Sequence, residues 1–453
     1  MRQSKNAGRE SLLRNHRSAI LATLELPKLE SCVNATMIAR LGAAALIGTL
    51  AASAVPQSEI GADLTRAPRI QSALEFVRGN EPEVIEYQIQ LTEIPAPPFK
   101  EERRAAAYRA MFEERGLTDV RIDSEGNVLG VRPGRSARPH LVFTAHLDTV
   151  FPDETIRVVR EGAILRAPGI GDDGRGLAVV LGVIDALNGS AIETDGPITF
   201  VGTVGEEGLG DLRGVKHLFH DELKGRIDRF ISVDGGGYSI KHVGVGSYRY
   251  RVAFVGRGGH SYGSFGVTNP IHALGRLIAK IADFQVPESP KTTFSVGRIF
   301  GGTSINAIAY EAAFEVDMRS ADKDSLETVH DKFLQAAAAA LAEEKARWKG
   351  EGELELDLKR VGLRPAGHTP AESPEVRAVV SINRVLGLDV EMRESSSDSN
   401  VGMSLGVPSI TIGPGGAGNG AHSPGESFDT TDSWKGTQRA LLVAIALSSE
   451  GLR

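Results

Sequence analysis

The sequence predicts an α/β fold: a mixed, mostly parallel sheet flanked by helices and interrupted by an inserted α+β unit. Three observations predict it. Four short apolar runs, at residues 141–145, 198–204, 230–233 and 408–412, each have the length and texture of a buried strand. Each delivers a His, Asp or Glu at or beyond its carboxyl end, the edge of an open α/β sheet where ligands bind. Between the third and fourth runs lies a segment ordered strand–helix–strand–strand–helix–strand, the ferredoxin-like order of an antiparallel sheet. The implied organisation is an N-terminal extension at 1–65, the sheet domain in two parts at 66–244 and 361–453, and the insertion at 245–360.

The 453 residues, 41% hydrophobic and 24% charged, have the profile of a soluble globular chain with room for a sizeable core. A net charge of -7 argues against nucleic acid as the main partner. The single cysteine, Cys32, excludes an intrachain disulfide framework and any thiolate zinc cluster. A metal site must therefore use His and carboxylates. Residues 37–54 have a basic start, a short apolar run and the small ending Ala52-Ser-Ala54, which is signal-peptide-like and too short for a comfortable membrane span. Residues 1–36 precede it and its basic region is thin, so cytoplasmic and exported locations both stay open, with Met37 a candidate start.

Taken in order, residues 70–91 read as a helix interrupted at Gly79 to Pro82, and Pro95-Ala-Pro-Pro98 forces an extended loop. Residues 100–115 form a second helix, with Ala105, Tyr108 and Phe112 at helical spacing and Gly116 as its stop. Strands at 120–122 and 128–131 flank a turn at Ser124-Glu-Gly-Asn127. The 141–145 strand runs into His146 and Asp148, which point to one side of an extended chain. Such a pair suits a metal ligand and the acid that fixes its tautomer.

Residues 163–187 read strand, Gly-rich turn, helix, and the turn carries Asp172 and Asp173. It is no phosphate loop, since the Lys-Ser/Thr ending is missing and paired carboxylates repel phosphate. Either aspartate can cap the helix, and that alternative stays open. The next strands end in Gly205-Glu206-Glu207-Gly208 and in Asp234-Gly-Gly-Gly237, and the last runs into a loop carrying His422. In the insertion, strands at 247–255, 292–299, 312–318 and 354–359 alternate with helices at 270–284 and 324–348. Val243-Gly-Val-Gly246 is a plausible hinge at its entry.

Two histidines (146 and 422), Asp172, Asp234 and Glu207 make a nitrogen and oxygen donor set suited to Zn²⁺. Clustered carboxylates repel one another unless a cation neutralises them. Five ligands, one of them bridging, serve two ions and leave a position for a shared water of lowered pKa. Glu206, beside a ligand, is placed to take that water's proton as general base. Hydrolysis of an amide fits this set.

With these residues in line, the sequence resembles the co-catalytic dizinc metallopeptidases that include peptidase T, carboxypeptidase G, bacterial dipeptidases and aminoacylases. The matching stretches are His146-Leu-Asp148, Gly171-Asp-Asp-Gly174, Gly205-Glu-Glu-Gly208, Val233-Asp234, Gly258-Gly-His-Ser261, Asn306 with Asp317-Met-Arg319, and His422-Ser-Pro-Gly-Glu426. They stand in family order over about residues 70 to 450. The resemblance implies that Asp172 bridges two zinc ions (Co²⁺ or Mn²⁺ as substitutes), His146 and Asp234 completing one and Glu207 and His422 the other. It implies that Asp148 orients His146, that Glu206 is the general base, and that His260 helps stabilise an oxyanion, often in the partner subunit. It implies that Arg319 and Asn306 hold the substrate's carboxylate, and that the insertion is a lid through which two copies dimerise.

Two departures from the family pattern are present. The usual Asp-Asp-Lys-Gly is Asp172-Asp173-Gly174-Arg175, which displaces the basic residue without touching a ligand. Asp234 stands where carboxypeptidase and acylase members have glutamate, which is similar to peptidase T and the dipeptidases. The expected function is therefore zinc-dependent hydrolysis of short peptides, by aminopeptidase, dipeptidase or tripeptidase action. The alternatives are an N-acyl-amino-acid amidohydrolase or carboxypeptidase G-like enzyme, and, in another class, an inactive metal-binding or assembly protein.

Overall fold

Nine strands build the main sheet of the computed structural model, which describes residues 60–152, 155–348 and 353–451. The possible signal segment at 37–54 lies outside the described residues. Four parallel neighbours form the centre of the sheet: Ile198–Thr203, Leu141–His146, Arg229–Val233 and Ser409–Ile412. These are the four apolar runs of the sequence, and parallel pairing brings all their carboxyl ends to one edge. Antiparallel pairing appears only towards the two sides: Val128–Arg132 and Thr118–Ile122 on one, Ile240–Gly244 with Gly367–His368 on the other.

Burial on both faces explains why these runs are continuously apolar rather than alternating. Leu141, Phe143 and Ala145 point into one hydrophobic cluster with the helices Pro68–Thr92, Gly174–Gly189 and Trp434–Leu447. Val142 points to the opposite cluster, with Leu212, Val215, Phe219 and Phe230.

The helix expected with a break at Gly79 to Pro82 runs unbroken from Pro68 to Thr92. An interior proline costs about 3 kcal/mol, but this helix is fixed by its neighbours. Val77, Val84 and Ile85 are buried on it, and Glu81 pairs with Arg175 at 3.0 Å at the start of Gly174–Gly189. Arg175, the displaced basic residue, is fully buried there and also donates to the Ser433 carbonyl at 2.8 Å. Its work is to lock helices together behind the sheet.

The insertion folds in the expected order. Its antiparallel sheet runs Thr292–Gly301, Glu311–Ser320, Gly246–Gly256, Leu354–Arg364 across, covered by the helices Pro270–Ala282 and Lys323–Arg347. Val252, Phe254, Leu277, Phe314, Val329 and Phe333 give it a hydrophobic cluster of its own. Among the described residues, no helix is long and apolar enough to cross a membrane.

Candidate metal centre

At the shared carboxyl edge, each strand end is turned so that its polar residue reaches one point. His146 closes the Leu141–His146 strand with its side chain 1% exposed. Gly205, at φ +68°, turns the chain directly after Ile198–Thr203 and sets Glu206 and Glu207 on the edge. Asp234 follows Arg229–Val233, and its N–H donates to the Ile412 carbonyl at 3.0 Å. His422 comes from the loop after Ser409–Ile412 and is the most exposed of the set.

The carboxylate of Asp172 lies between the two histidines. Its Oδ1 is 3.0 Å from His146 Nε2 and its Oδ2 is 3.2 Å from His422 Nε2. Asp234 Oδ1 approaches His146 Nε2 at 3.9 Å, and Glu207 Oε1 approaches His422 Nε2 at 2.9 Å. The donor atoms of His146, Asp172 and Asp234 lie within 4.8 Å of one another, as do those of Asp172, Glu207 and His422. Two three-donor groups thus share Asp172, one oxygen to each. All five residues expected as ligands are brought together.

The electrostatics of this set call for cations. Burial opposes a charged His146, yet Asp173, Asp172 and Asp148 outweigh it and raise its pKa well above the ordinary value. Hydrogen bonds to Asp172 and Glu207 raise His422 to about 10. Burial works to raise Asp172, but both imidazoles hold its carboxyl well below the usual range. Carboxylates that draw protons onto two histidines make a site whose donors suit divalent ions, held at about 2.0–2.2 Å by imidazole nitrogen and carboxylate oxygen.

Asp172 and Asp173 divide their work. Asp173 Oδ1 accepts the Gly176 N–H at 3.1 Å and caps the Gly174–Gly189 helix, and its Oδ2 accepts the His146 N–H at 2.9 Å. Asp173 is thus the aspartate that caps the helix, and Asp172 is the one that faces the two histidines. Glu426 holds the same turn, accepting from Gly169 and Gly171 at 2.8 Å and from Asp172 at 2.9 Å.

Asp148 sits differently from the expectation drawn from its spacing. His146 Nδ1 lies 2.9 Å from the Asp148 backbone carbonyl and 3.7 Å from its carboxylate. The tautomer with Nε2 free to ligate is thus set chiefly by a main-chain oxygen. The Asp148 carboxylate instead accepts the N–H groups of Glu206 at 3.0 Å and Glu207 at 2.8 Å. Asp148→Ala strands both buried donors and is expected to cost on the order of 2–5 kcal/mol of stability, read as a lower urea midpoint. An unchanged midpoint would remove this account of Asp148.

The site opens into a cleft of about 380 Å³ lined by Asp172, Glu206, Glu207, Asp234 and His422 on one side. Lys241, Arg249, Arg319 and Arg364 contribute cations to the same cleft. Arg319 and Arg249 share Asp317, at 2.6 and 3.1 Å. His260 and Asn306 are not among the lining residues; both are exposed around the small ribbon Gly259–His260/Ala307–Ile308 of the insertion. Sequence reasoning missed Arg249, Arg364 and the role of Glu426. Only Glu426 carried a signal, as the end of His422-Ser-Pro-Gly-Glu426.

The sequence matches the model of Peptidase family M20/M25/M40 over residues 142–446. The protein YqjE of Bacillus subtilis (strain 168) is 25% identical over 353 residues, covering 74% of this chain and 91% of its own. Aminopeptidase PepT from Bacillus cereus ATCC 10987 superposes with a TM-score of 0.66 at 20% identity, covering 82% of this chain and 99% of its own. YXEP of Bacillus subtilis, a dinuclear metal-binding peptidase of the M20 family, gives 0.59 at 17% identity, covering 81% and 99%. At such identities the two structures establish the fold.

Proposed function

The chain belongs to peptidase family M20/M25/M40 and is a metal-dependent hydrolase; from that premise we propose that it cleaves amide bonds of short peptides at a pair of zinc ions. One observation carries the reading: the Asp172 carboxylate offers one oxygen beside each histidine. His146, Asp172 and Asp234 would hold one ion, and Asp172, Glu207 and His422 the other. Bound there, the ions supply Lewis acidity towards the scissile carbonyl and a water of lowered pKa. Glu206 takes a proton from the water as its oxygen bonds to the carbonyl carbon. It delivers that proton to the leaving nitrogen as the C–N bond breaks, giving a carboxylic acid and an amine.

Arg319, steadied by Asp317, is the residue we assign to the substrate's free carboxylate, with Arg249 beside it. His260 and Asn306 stand outside the cleft of their own chain. We place them at the active site of a second copy, the first towards the oxyanion and the second towards the substrate carboxylate. Tyr262, Phe265, Ile299, Ile305 and Tyr310 are exposed large apolar side chains of the same insertion, which supports a homodimer formed through it. Light scattering at micromolar concentration tests this, and a monomeric mass removes it.

The test of the whole reading is metal analysis with a substrate panel: free di- and tripeptides, N-acetyl amino acids and C-terminally amidated peptides. The expected result is two zinc ions per chain and cleavage of free peptides, with KM raised for the amides. Preference for N-acetyl amino acids selects the amidohydrolase alternative. Metal-loaded protein inactive on every member overturns the enzyme reading.

A further inference from the structure

Two chain crossings join the main sheet and the insertion, and the second ends on Glu206. The first passes from Ile240–Gly244 through Val245 into Gly246–Gly256. The second leaves Leu354–Arg364 through Pro365, and Arg364 is paired in register with Ser247 at the foot of the first. Asn400, 1% exposed, pins them together: its Nδ2 donates to the carbonyls of Val245 and Pro365, both at 2.9 Å. Its own Oδ1 accepts the Ser397 N–H at 3.0 Å, and the Val245 N–H donates to Ser395 at 2.8 Å. The Val243–Gly246 segment read as a hinge is thus bolted to the second crossing.

Arg364 extends this pinned point to the reacting centre. Its guanidinium is 5% exposed, and Nη1 donates to Glu206 Oε1 at 3.0 Å and to Ser396 Oγ at 3.3 Å. Nη2 donates to the Glu206 backbone carbonyl. One side chain from the insertion therefore grips residue 206 by main chain and carboxylate together. Its Nε stays buried without a hydrogen-bond partner, so the guanidinium is oriented for Glu206 at the expense of its own satisfaction. With Oε1 taken, Oε2 is the oxygen left to accept a proton.

We propose that Arg364 is a positioning residue that fixes the Glu206 carboxylate and transmits the placement of the insertion to it. The inference rests on the reading of Glu206 as the group that moves the proton. The crossings are pinned where Arg364 leaves the insertion, so the seating of the insertion and the aim of the Glu206 carboxylate are held through one guanidinium.

The experiment compares Arg364→Ala, Arg364→Lys and Glu206→Gln in the full-length metal-loaded enzyme, with kcat, KM, metal content and circular dichroism for each. Misplacement of a catalytic group by about 1 Å costs on the order of 100-fold, so Arg364→Ala is expected to lose about that factor in kcat with KM within about threefold. Metal content is expected to stay at the wild-type value. Added guanidinium chloride, at concentrations that leave the wild type unaffected, is expected to restore about tenfold of the Arg364→Ala loss and nothing in Glu206→Gln. Should Arg364→Ala fail to fold, Arg364→Lys decides: a wild-type kcat overturns the proposal and a reduced kcat with unchanged KM upholds it. A loss confined to KM, or a folded Arg364→Ala with wild-type kcat or no guanidinium rescue, also overturns it. Full activity in Glu206→Gln would instead bring down the reading on which the proposal rests.

Discussion

Glu206→Gln is expected to lower kcat by at least about 100-fold while the chain keeps its full metal content. The substitution preserves volume and an oxygen able to accept from Arg364 Nη1, which is 3.0 Å from Oε1. It removes the capacity to take up a proton, together with the charge that pairs with Arg364. Glu206 and Glu207 are adjacent in sequence, yet the structure separates what they touch. Glu207 Oε1 faces His422 at 2.9 Å, whereas Glu206 Oε1 faces Arg364. Glu207→Gln is accordingly expected to lower metal occupancy, which makes the pair a control on each other. Steady-state kinetics with metal analysis on both variants checks this, and Glu206→Gln turning over like the wild type would falsify the base assignment.

The residues most legible in the sequence were those whose positions follow from strand ends. A short continuous apolar run bounded by turn residues suits a strand buried on both faces, and parallel neighbours bring their carboxyl ends together. His146, Glu207 and Asp234 therefore fell into place before any coordinates. The ferredoxin-like insertion was legible for a similar reason: Ser247 to Val255 alternates as a strand with one exposed face must.

What escaped was set by tertiary contact. Arg364 ends a strand 158 residues after the glutamate it grips, and no local pattern records that meeting. Asp148 is at the expected place, but which of its oxygens meets His146 depends on where the Glu206–Glu207 turn arrives. The unbroken Pro68–Thr92 helix is another case, since packing on Gly174–Gly189 and Trp434–Leu447 overrides the local cost of Pro82. The helix Pro374–Val385 was readable but unread: Ser373 accepts the Val376 N–H at its start and Pro374 follows at the first helical position.

Asp172→Asn is expected to strip both ions from the site, because Asp172 is the residue shared by the group with His146 and Asp234 and the group with Glu207 and His422, and each uses a different one of its oxygens. An amide replaces one anionic oxygen with an NH₂ that cannot ligate, and the remaining carbonyl reaches only one side. Losing an outer-shell partner typically costs about 10–100-fold in metal affinity or activity, so loss of a shared ligand should exceed that. The fold is expected to survive, since the turn is held by Glu426 through the main-chain N–H groups of Gly169, Gly171 and residue 172 itself. Asp173→Asn, one residue on, supplies the contrast. That side chain accepts from Gly176 on one oxygen and from His146 on the other, and an amide can serve only one of them, so the change should lower stability by about 1–3 kcal/mol and leave both ions in place. Metal-to-protein ratios after dialysis, measured on both variants beside their unfolding curves, test the division between the two aspartates. Wild-type occupancy in Asp172→Asn would contradict the bridge and, with it, the reason for placing two ions rather than one at this edge.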